Sequence, residues 1–329
     1  MKVSIIVPVF NVEDYLESCL SSLVPALKKE DEVLLVQGPS TDRSCKIAAE
    51  FQKNHPQIRI IGQNGIGLSN ARNCGLKAAE GEVVLFIDGD DFVDSIALAE
   101  LLQQIREDEY SADVWLTDYY KCFGSRGRHK LVSQIGMNQV GTVDGLVKLL
   151  PKHSCFWNVW KNAYRREFLV NNELFFIENS YAEDIDFITR LLILNPRVQT
   201  KEIPYYHYRM NRRGSLMNRV SLARIQSTVS VLENCVQRLR DERTACFAPL
   251  ITSFQFEYLL NMALVQEVDP QQKKLAVDAF CKFKEVLSPA TDCAVRCGAF
   301  CVQVIGVSKV SKVLWGFKQI KRRVEHREK

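Results

Sequence analysis

The chain is short of several features that would direct it elsewhere. Eleven cysteines are present in 329 residues, yet no two stand in a Cys-x-x-Cys pair. With that spacing missing and the count odd, reduced thiols of a cytosolic protein fit better than a zinc ribbon or a disulfide framework. No uninterrupted apolar run reaches about 18 residues, so no membrane-spanning segment is expected. The apolar start, Val3 to Phe10, is short, contains Pro8 and lacks a small-residue cleavage site. It reads as a first strand, not as a secretion signal. Charge of one sign is scarce until the end of the chain. The formal net charge is +4, and residues 308–329 alone hold eight Lys or Arg against Glu325 and Glu328. The remainder is slightly acidic, which argues against a nucleic-acid partner. Internal repeats and low-complexity segments are also missing.

What is present describes an ordinary globular chain, 47% hydrophobic and 25% charged, with ample material for a core. Its length predicts one large domain and a smaller one. Strand-like runs at Val3–Pro8, Glu32–Val36, Ile58–Ile61, Val83–Ile87 and Ala112–Thr117 alternate with helical runs at Glu13–Leu27, Asp42–Lys53, Ser69–Ala79 and Ser95–Arg106. That order, with near-continuous apolar strands, predicts an α/β fold: a Rossmann-like, mostly parallel central sheet flanked by helices. Ligands of such sheets lie at the carboxyl ends of the strands. The middle, about residues 120–220, is less regular. Beyond Ser221 the pattern is helical, at about 221–241, 247–267, 270–287 and 291–324. The expected division is therefore 1–220 and 221–329.

Chemistry concentrates at the predicted strand ends. Phe86-Ile87-Asp88-Gly89-Asp90-Asp91 follows a buried run, and carboxylates this dense repel each other unless a cation lies among them. Oxygen ligands on a turn suit Mg²⁺ or Mn²⁺, which in turn suit a diphosphate. Gly89 allows a tight turn. The plainer explanation is an acidic turn capping the helix near Ser95. Gly38-Pro39-Ser40-Thr41-Asp42 is a turn entering a helix, which Ser40, Thr41 or Asp42 can cap. Gly65-Ile66-Gly67-Leu68-Ser69-Asn70-Ala71-Arg72-Asn73 opens another helix, whose free N–H groups attract anions; Arg72 there could equally pair with a carboxylate. Glu183-Asp184 begins the amphipathic segment 182–192, where acids either offset the helix dipole or take a proton from a hydroxyl. Cys293, Cys297 and Cys301 share one helical face and read as a small apolar stripe in preference to a metal site.

Taken in order, SIIVPVFN, the turn ending in STD, GLSNARNCGL, FIDGDD, AEDIDF and YRMNRRGSLM resemble the family 2 glycosyltransferases, inverting enzymes with the GT-A fold. The resemblance covers roughly residues 3–217. It implies a nucleotide-sugar donor, a Mn²⁺ or Mg²⁺ cofactor and a glycan or lipid-linked acceptor. Pro8 and Asn11 would line the nucleotide pocket. Asp88 would approach the ribose and Asp90 would bind the cation. Asp91 would support the cation or face the acceptor, and Arg72 would hold the nucleobase end. Asp184 would be the general base, with Glu183 beside it. The late segment with Arg209, Arg213 and Ser215 would close over the diphosphate, since guanidinium groups grip phosphate oxygens bidentately. His207 would complete the metal shell or serve packing. Trp157, Trp160 and Lys161 fit an acceptor platform, although a core role for one Trp is equally compatible.

One departure bears on the base. The family usually has Asp-Asp-Gly where this chain has Gln37-Gly38-Pro39. The Gln37 carboxamide oxygen would accept the uracil N3–H in place of a carboxylate, less strongly. Uridine is the favoured base, with guanosine or cytidine as alternatives. A nucleotide-sugar-binding protein with a degenerate site is the competing reading. A nucleotidyltransferase fits less well, because its glycine- and basic-rich N-terminal loop is missing. The last helix repeats Val307, Val310, Val313, Leu314, Phe317, Ile320 and Val324 on one face, with Lys321 inside that arc. It suits the inner face of a membrane, or packing on the catalytic domain or in a homodimer. The expected location is cytoplasmic, at the membrane face if the helix binds lipid.

Overall fold

The structure is a computed structural model and describes residues 1–108, 111–123, 128–132, 140–141, 143, 147, 158–210, 220–242 and 245–327. Trp157, Arg213 and Ser215 lie outside the described residues, as do the Lys321 and Val324 side chains. Two units are present. The first comprises Met1–Leu149, Phe156–Asn179 and Arg190–Arg213; the second comprises Leu150–Cys155, Ser180–Thr189 and Gly214–Lys329. The second unit thus takes in the short segment that carries Glu183 and Asp184.

The first unit is built on strands β1 (Val3–Val9), β2 (Glu32–Gln37), β3 (Ile58–Gly62), β4 (Val83–Phe86), β5 (Phe92–Val93), β6 (Val114–Phe123), β7 (Arg128–Val132), β8 (Val140–Gly141), β9 (Ala163–Arg165) and β10 (Val198–Met210). Their order is β3-β2-β1-β4-β9-β6-β10-β5, with β7 on β6 and β8 on β10. The half formed by β3, β2, β1 and β4 is parallel, as the apolar runs imply. Every residue of β1 is buried, which is what a strand covered on both faces requires. Helices α1 (Leu16–Leu23), α2 (Ser44–Asn54), α3 (Leu68–Ala78), α4 (Ser95–Glu107) and α5 (Arg166–Asn171) complete the unit's main elements.

Past β4 the sheet becomes mixed. Short β9 pairs antiparallel with both β4 and β6, joining the two halves. β10 runs parallel to β6, but Lys201 to Tyr206 spans only Thr117 to Tyr119, so β10 bulges. Asp113 anchors the start of β10, accepting the Arg197 backbone N–H at 2.9 Å and Nη2 at 2.8 Å. Those pairings carry the far end of β10 to the acidic turn after β4.

Helix α6 (Glu183–Ile193) begins in the second unit, which otherwise contains α7 (Leu222–Asp241), α8 (Ala248–Met262), α9 (Lys273–Asp278), α10 (Phe283–Leu287) and α11 (Cys293–Arg327). Gly306, at φ 81°, breaks α11 into two helices, a conformation glycine adopts at little cost. Val295, Val302, Val307 and Val310 point into the unit, whereas Phe300, Val304, Ile305, Val313, Phe317 and Ile320 are exposed. The apolar arc of the last helix is therefore divided between the core and the surface. Cys293, Cys297 and Cys301 are exposed too, so their stripe is not a packing seam. Cys293–Ile320 has the length and apolar composition of a membrane span, but the break at Gly306 divides it into two shorter helices.

Candidate active site

The acidic turn follows β4 and lies against β1. A Cβ on Gly89 would sit 2.7 Å from the Pro8 carbonyl oxygen, so only glycine lets the turn approach this closely. One carboxylate oxygen from each of Asp88, Asp90 and Asp91 lies within 4.8 Å of the others. Capping does not account for them. The cap of α4 is Asp94, whose Oδ1 accepts from Ile96 N and Ala97 N.

Each carboxylate has a distinct setting. Arg72 Nη2 donates to Asp88 Oδ1 at 3.0 Å, and the guanidinium lies 5.2 Å over the Phe176 ring. Phe176 is held in turn by Asn73, which bonds both its carbonyl (2.9 Å) and its N–H (2.8 Å). The nucleobase role expected of Arg72 does not suit this position, where it is 1% exposed and sealed under Asp88. It orients the carboxylate instead. Asp91 is equally buried, so it does not face an acceptor. Its oxygens accept the Tyr206 hydroxyl and the Arg209 backbone N–H, each at 2.7 Å. Burial, then the charge of Asp88, pushes its pKa up to about 8. Asp91 fixes β10 against the turn. Arg209 consequently lies beside Asp90: Nη1 donates to the Asp90 carbonyl at 3.0 Å and Nη2 to Ser18 Oγ at 2.9 Å. Its guanidinium stands 4.7 Å over Phe92 and 5.3 Å over Tyr15.

The neighbouring strand ends meet as predicted. Asn11, at φ 50°, accepts Thr41 N on Oδ1 at 2.9 Å and donates its backbone N–H to Ser40 Oγ at 3.2 Å. Asp42 accepts Glu13 N and Ser44 N, both at 2.9 Å, so it braces the turn as well as opening α2. Gln37 ends β2 in register with Val9. The ligand set of Asp88 and Asp90 is all oxygen, on a turn and partly accessible. That donor chemistry fits Mg²⁺ or Mn²⁺.

Three expected residues lie elsewhere. His207 is not grouped with the carboxylates: it stacks between Phe92 (4.7 Å) and Tyr120 (5.0 Å). Burial, then His129, lowers its pKa to about 4. Trp160, 5% exposed, packs against Tyr119, Tyr206 and Tyr208 and is a core residue, not an acceptor platform. Lys161 is fully buried and donates Nζ to the Thr117 carbonyl at 2.8 Å. Burial lowers its pKa to about 8 against the opposing effect of Asp118. Neither residue can reach a sugar. Glu183 and Asp184 occupy the first turn of α6, half-buried, while Asp186 is 3% exposed. Of the acids in that turn, the first two are the accessible ones.

Sequence reading missed Tyr206, Asn73 and Phe176. Tyr206 also accepts the Asp88 backbone N–H on its hydroxyl, at 3.3 Å. Its signal was the alternation of β10, which puts Tyr206 and Tyr208 on one face and His207 and Arg209 on the other.

Residues 4–175 match the profile of the family described as Glycosyl transferase family 2. The chain is 36% identical over 214 residues to the uncharacterized glycosyltransferase EpsJ of Bacillus subtilis, covering 64% of this chain and 61% of that protein. It is 29% identical over 226 residues to the uncharacterized glycosyltransferase YibD of Escherichia coli, 65% of each. The match thus spans less than two thirds of either relative. The crystal structure of S. aureus TarS 1-349 in complex with UDP-GlcNAc superposes with a TM-score of 0.73 at 22% identity, over 97% of this chain and 92% of that one. That likeness supports the GT-A fold. With more than half of its length matched, the chain belongs to glycosyl transferase family 2.

Proposed function

We propose that the protein is a metal-dependent inverting glycosyltransferase that moves a sugar from a uridine diphosphate donor to a carbohydrate acceptor, in polysaccharide or lipid-linked oligosaccharide synthesis. The observation that carries this reading is the group Asp88, Asp90 and Asp91 at a strand end, with Arg72 beneath and Arg209 alongside. Asp88 and Asp90 would hold Mn²⁺ or Mg²⁺, which when bound offsets the charge that grows on a departing nucleoside diphosphate. Arg209 supplies a guanidinium for phosphate oxygens. Gln37 and Asn11 sit at adjacent strand ends where the nucleoside belongs, and the Gln37 amide oxygen accepts the uracil N3–H. Asp184 removes the acceptor hydroxyl proton as that oxygen attacks the anomeric carbon and the bond to the diphosphate breaks. Glu183 orients the acceptor. The exposed apolar face of α11, with Lys309 and Lys312, suits an anionic surface and supports a location on the cytoplasmic face of the membrane, near a lipid-linked acceptor.

The test is a thermal-shift screen of nucleotide sugars with and without Mn²⁺. A ligand at a hundredfold excess over its Kd stabilises by about 2.7 kcal/mol. Uridine diphosphate sugars should raise the Tm only with the cation. A shift from guanosine diphosphate sugars alone would reject uridine, and no shift from any donor would reject the reading.

A further inference from the structure

The far edge of the sheet carries a second cluster of metal-ligating groups, unrelated in chemistry to the carboxylates. β6 and β7 pair antiparallel with Cys122 opposite His129, and β10 sets His207 opposite Tyr120. Residues two apart on a strand share a face, so Tyr120 and Cys122 carry their cross-strand partners onto one side. One ligand atom from each of Cys122, His129 and His207 lies within 4.8 Å of the others. We propose that Cys122, His129 and His207 form a binding site for a thiophilic divalent cation of the zinc class, with solvent as fourth ligand.

Distances and access both support it. Tetrahedral zinc, with Zn–S about 2.3 Å and Zn–N about 2.0–2.1 Å, sets a sulfur and a nitrogen ligand about 3.6 Å apart. Cys122 Sγ and His207 Nδ1 are 3.5 Å apart. The His207 ring is already held in place between Phe92 and Tyr120, with planes within 13° and 19° of parallel. His129, at 4.7 Å between ring centroids, stands across from it and is exposed, so a cation can enter from that side and keep a water. A thiolate and two imidazoles favour zinc or cobalt, whereas the oxygen-only set after β4 favours magnesium or manganese. The two sites therefore take different cations. On binding, the Cys122 thiol gives its proton to solvent and its sulfur bonds the metal. The site would tie β7 to β10 next to Phe92, over which Arg209 lies.

The experiment titrates the full chain, reduced and stripped with a chelator, with Co²⁺. One equivalent should bind tightly, giving the strong visible bands of tetrahedral cobalt and a thiolate-to-cobalt charge-transfer band. Cys122→Ser should abolish that band. His129→Gln, at an exposed position that folding tolerates, should weaken binding by at least about 10-fold, the smaller loss seen when even a supporting group is removed. The triple change Cys293→Ser, Cys297→Ser and Cys301→Ser should leave the spectrum as it was. The proposal fails if wild type shows no charge-transfer band, if the band survives Cys122→Ser, if His129→Gln binds as tightly as wild type, or if the triple change removes it. The cluster would then be an S–H···N hydrogen bond inside an aromatic stack.

Discussion

Arg72 lies beneath Asp88, Nη2 to Oδ1 at 3.0 Å, with the arginine 1% exposed and the aspartate side chain 18% exposed. A charge taken out of water this deeply must be compensated, and Asp88 contributes to that compensation.

Asp88→Ala should therefore destabilise the fold by roughly 1.5–3 kcal/mol, the usual worth of a hydrogen bond to a charged group, since it removes one partner of a buried guanidinium. Asp90→Ala, at a half-buried position, should cost less, about 1 kcal/mol or below. Urea denaturation of both variants measures the difference. Equal stability would show that the Arg72 contact carries no weight.

Gln37→Asp replaces a neutral acceptor by an ionised one. Uridine diphosphate should then bind several-fold more tightly, because charge-assisted hydrogen bonds are about twice as strong as neutral ones. Calorimetric titration of both proteins decides it. Weaker binding in the variant would place the base away from the end of β2.

Much of this is legible in the sequence. Val83–Phe86 is a run of apolar residues, so the strand end and the carboxylates beyond it could be read directly. Asn11 and the turn before α2 lie at strand ends for the same reason. The pairing of Arg72 with Asp88 was only an alternative, because it depends on α3 docking beneath the turn, which periodicity does not report. Trp160 and Lys161 misled in a different way. An indole and an ammonium read as a surface platform, but one packs among tyrosines and the other spends its proton on the Thr117 carbonyl. The antiparallel strands β7 and β9 are too short to show a period. Their existence follows from the partners they find in β4 and β6.

The exposed half of the apolar arc on α11 makes a separate prediction. Phe317→Ser with Ile320→Ser changes side chains that are 66% and 59% exposed, so folding should be unaffected. Sedimentation with anionic liposomes at low salt should fall at least 10-fold, since each large side chain withdrawn from lipid loses about 1.5–3 kcal/mol. Wild type that does not sediment at all, or a dimer dissociated by the same changes, would assign the face to protein.

The base is tested by an ordering. Asp184→Asn keeps the shape but cannot take a proton, so sugar transfer should drop by about 10²–10⁴-fold with donor affinity retained. Glu183→Gln should be milder. Asp186→Asn should act mainly on stability, because that residue is buried. Loss of transfer in Asp186→Asn with near-normal transfer in Asp184→Asn would put the base on the wrong carboxylate.

The central claim is that the acidic turn after β4 binds a nucleoside diphosphate through a divalent cation. Isothermal titration of uridine diphosphate into wild type and Asp90→Ala, each with Mn²⁺ and with chelator, tests it most directly. Wild type should bind with Mn²⁺ and lose at least 10-fold in affinity without it, a cost of about 1.4 kcal/mol or more. Asp90→Ala should bind weakly in both conditions. Unchanged affinity in Asp90→Ala with Mn²⁺ present would contradict the account.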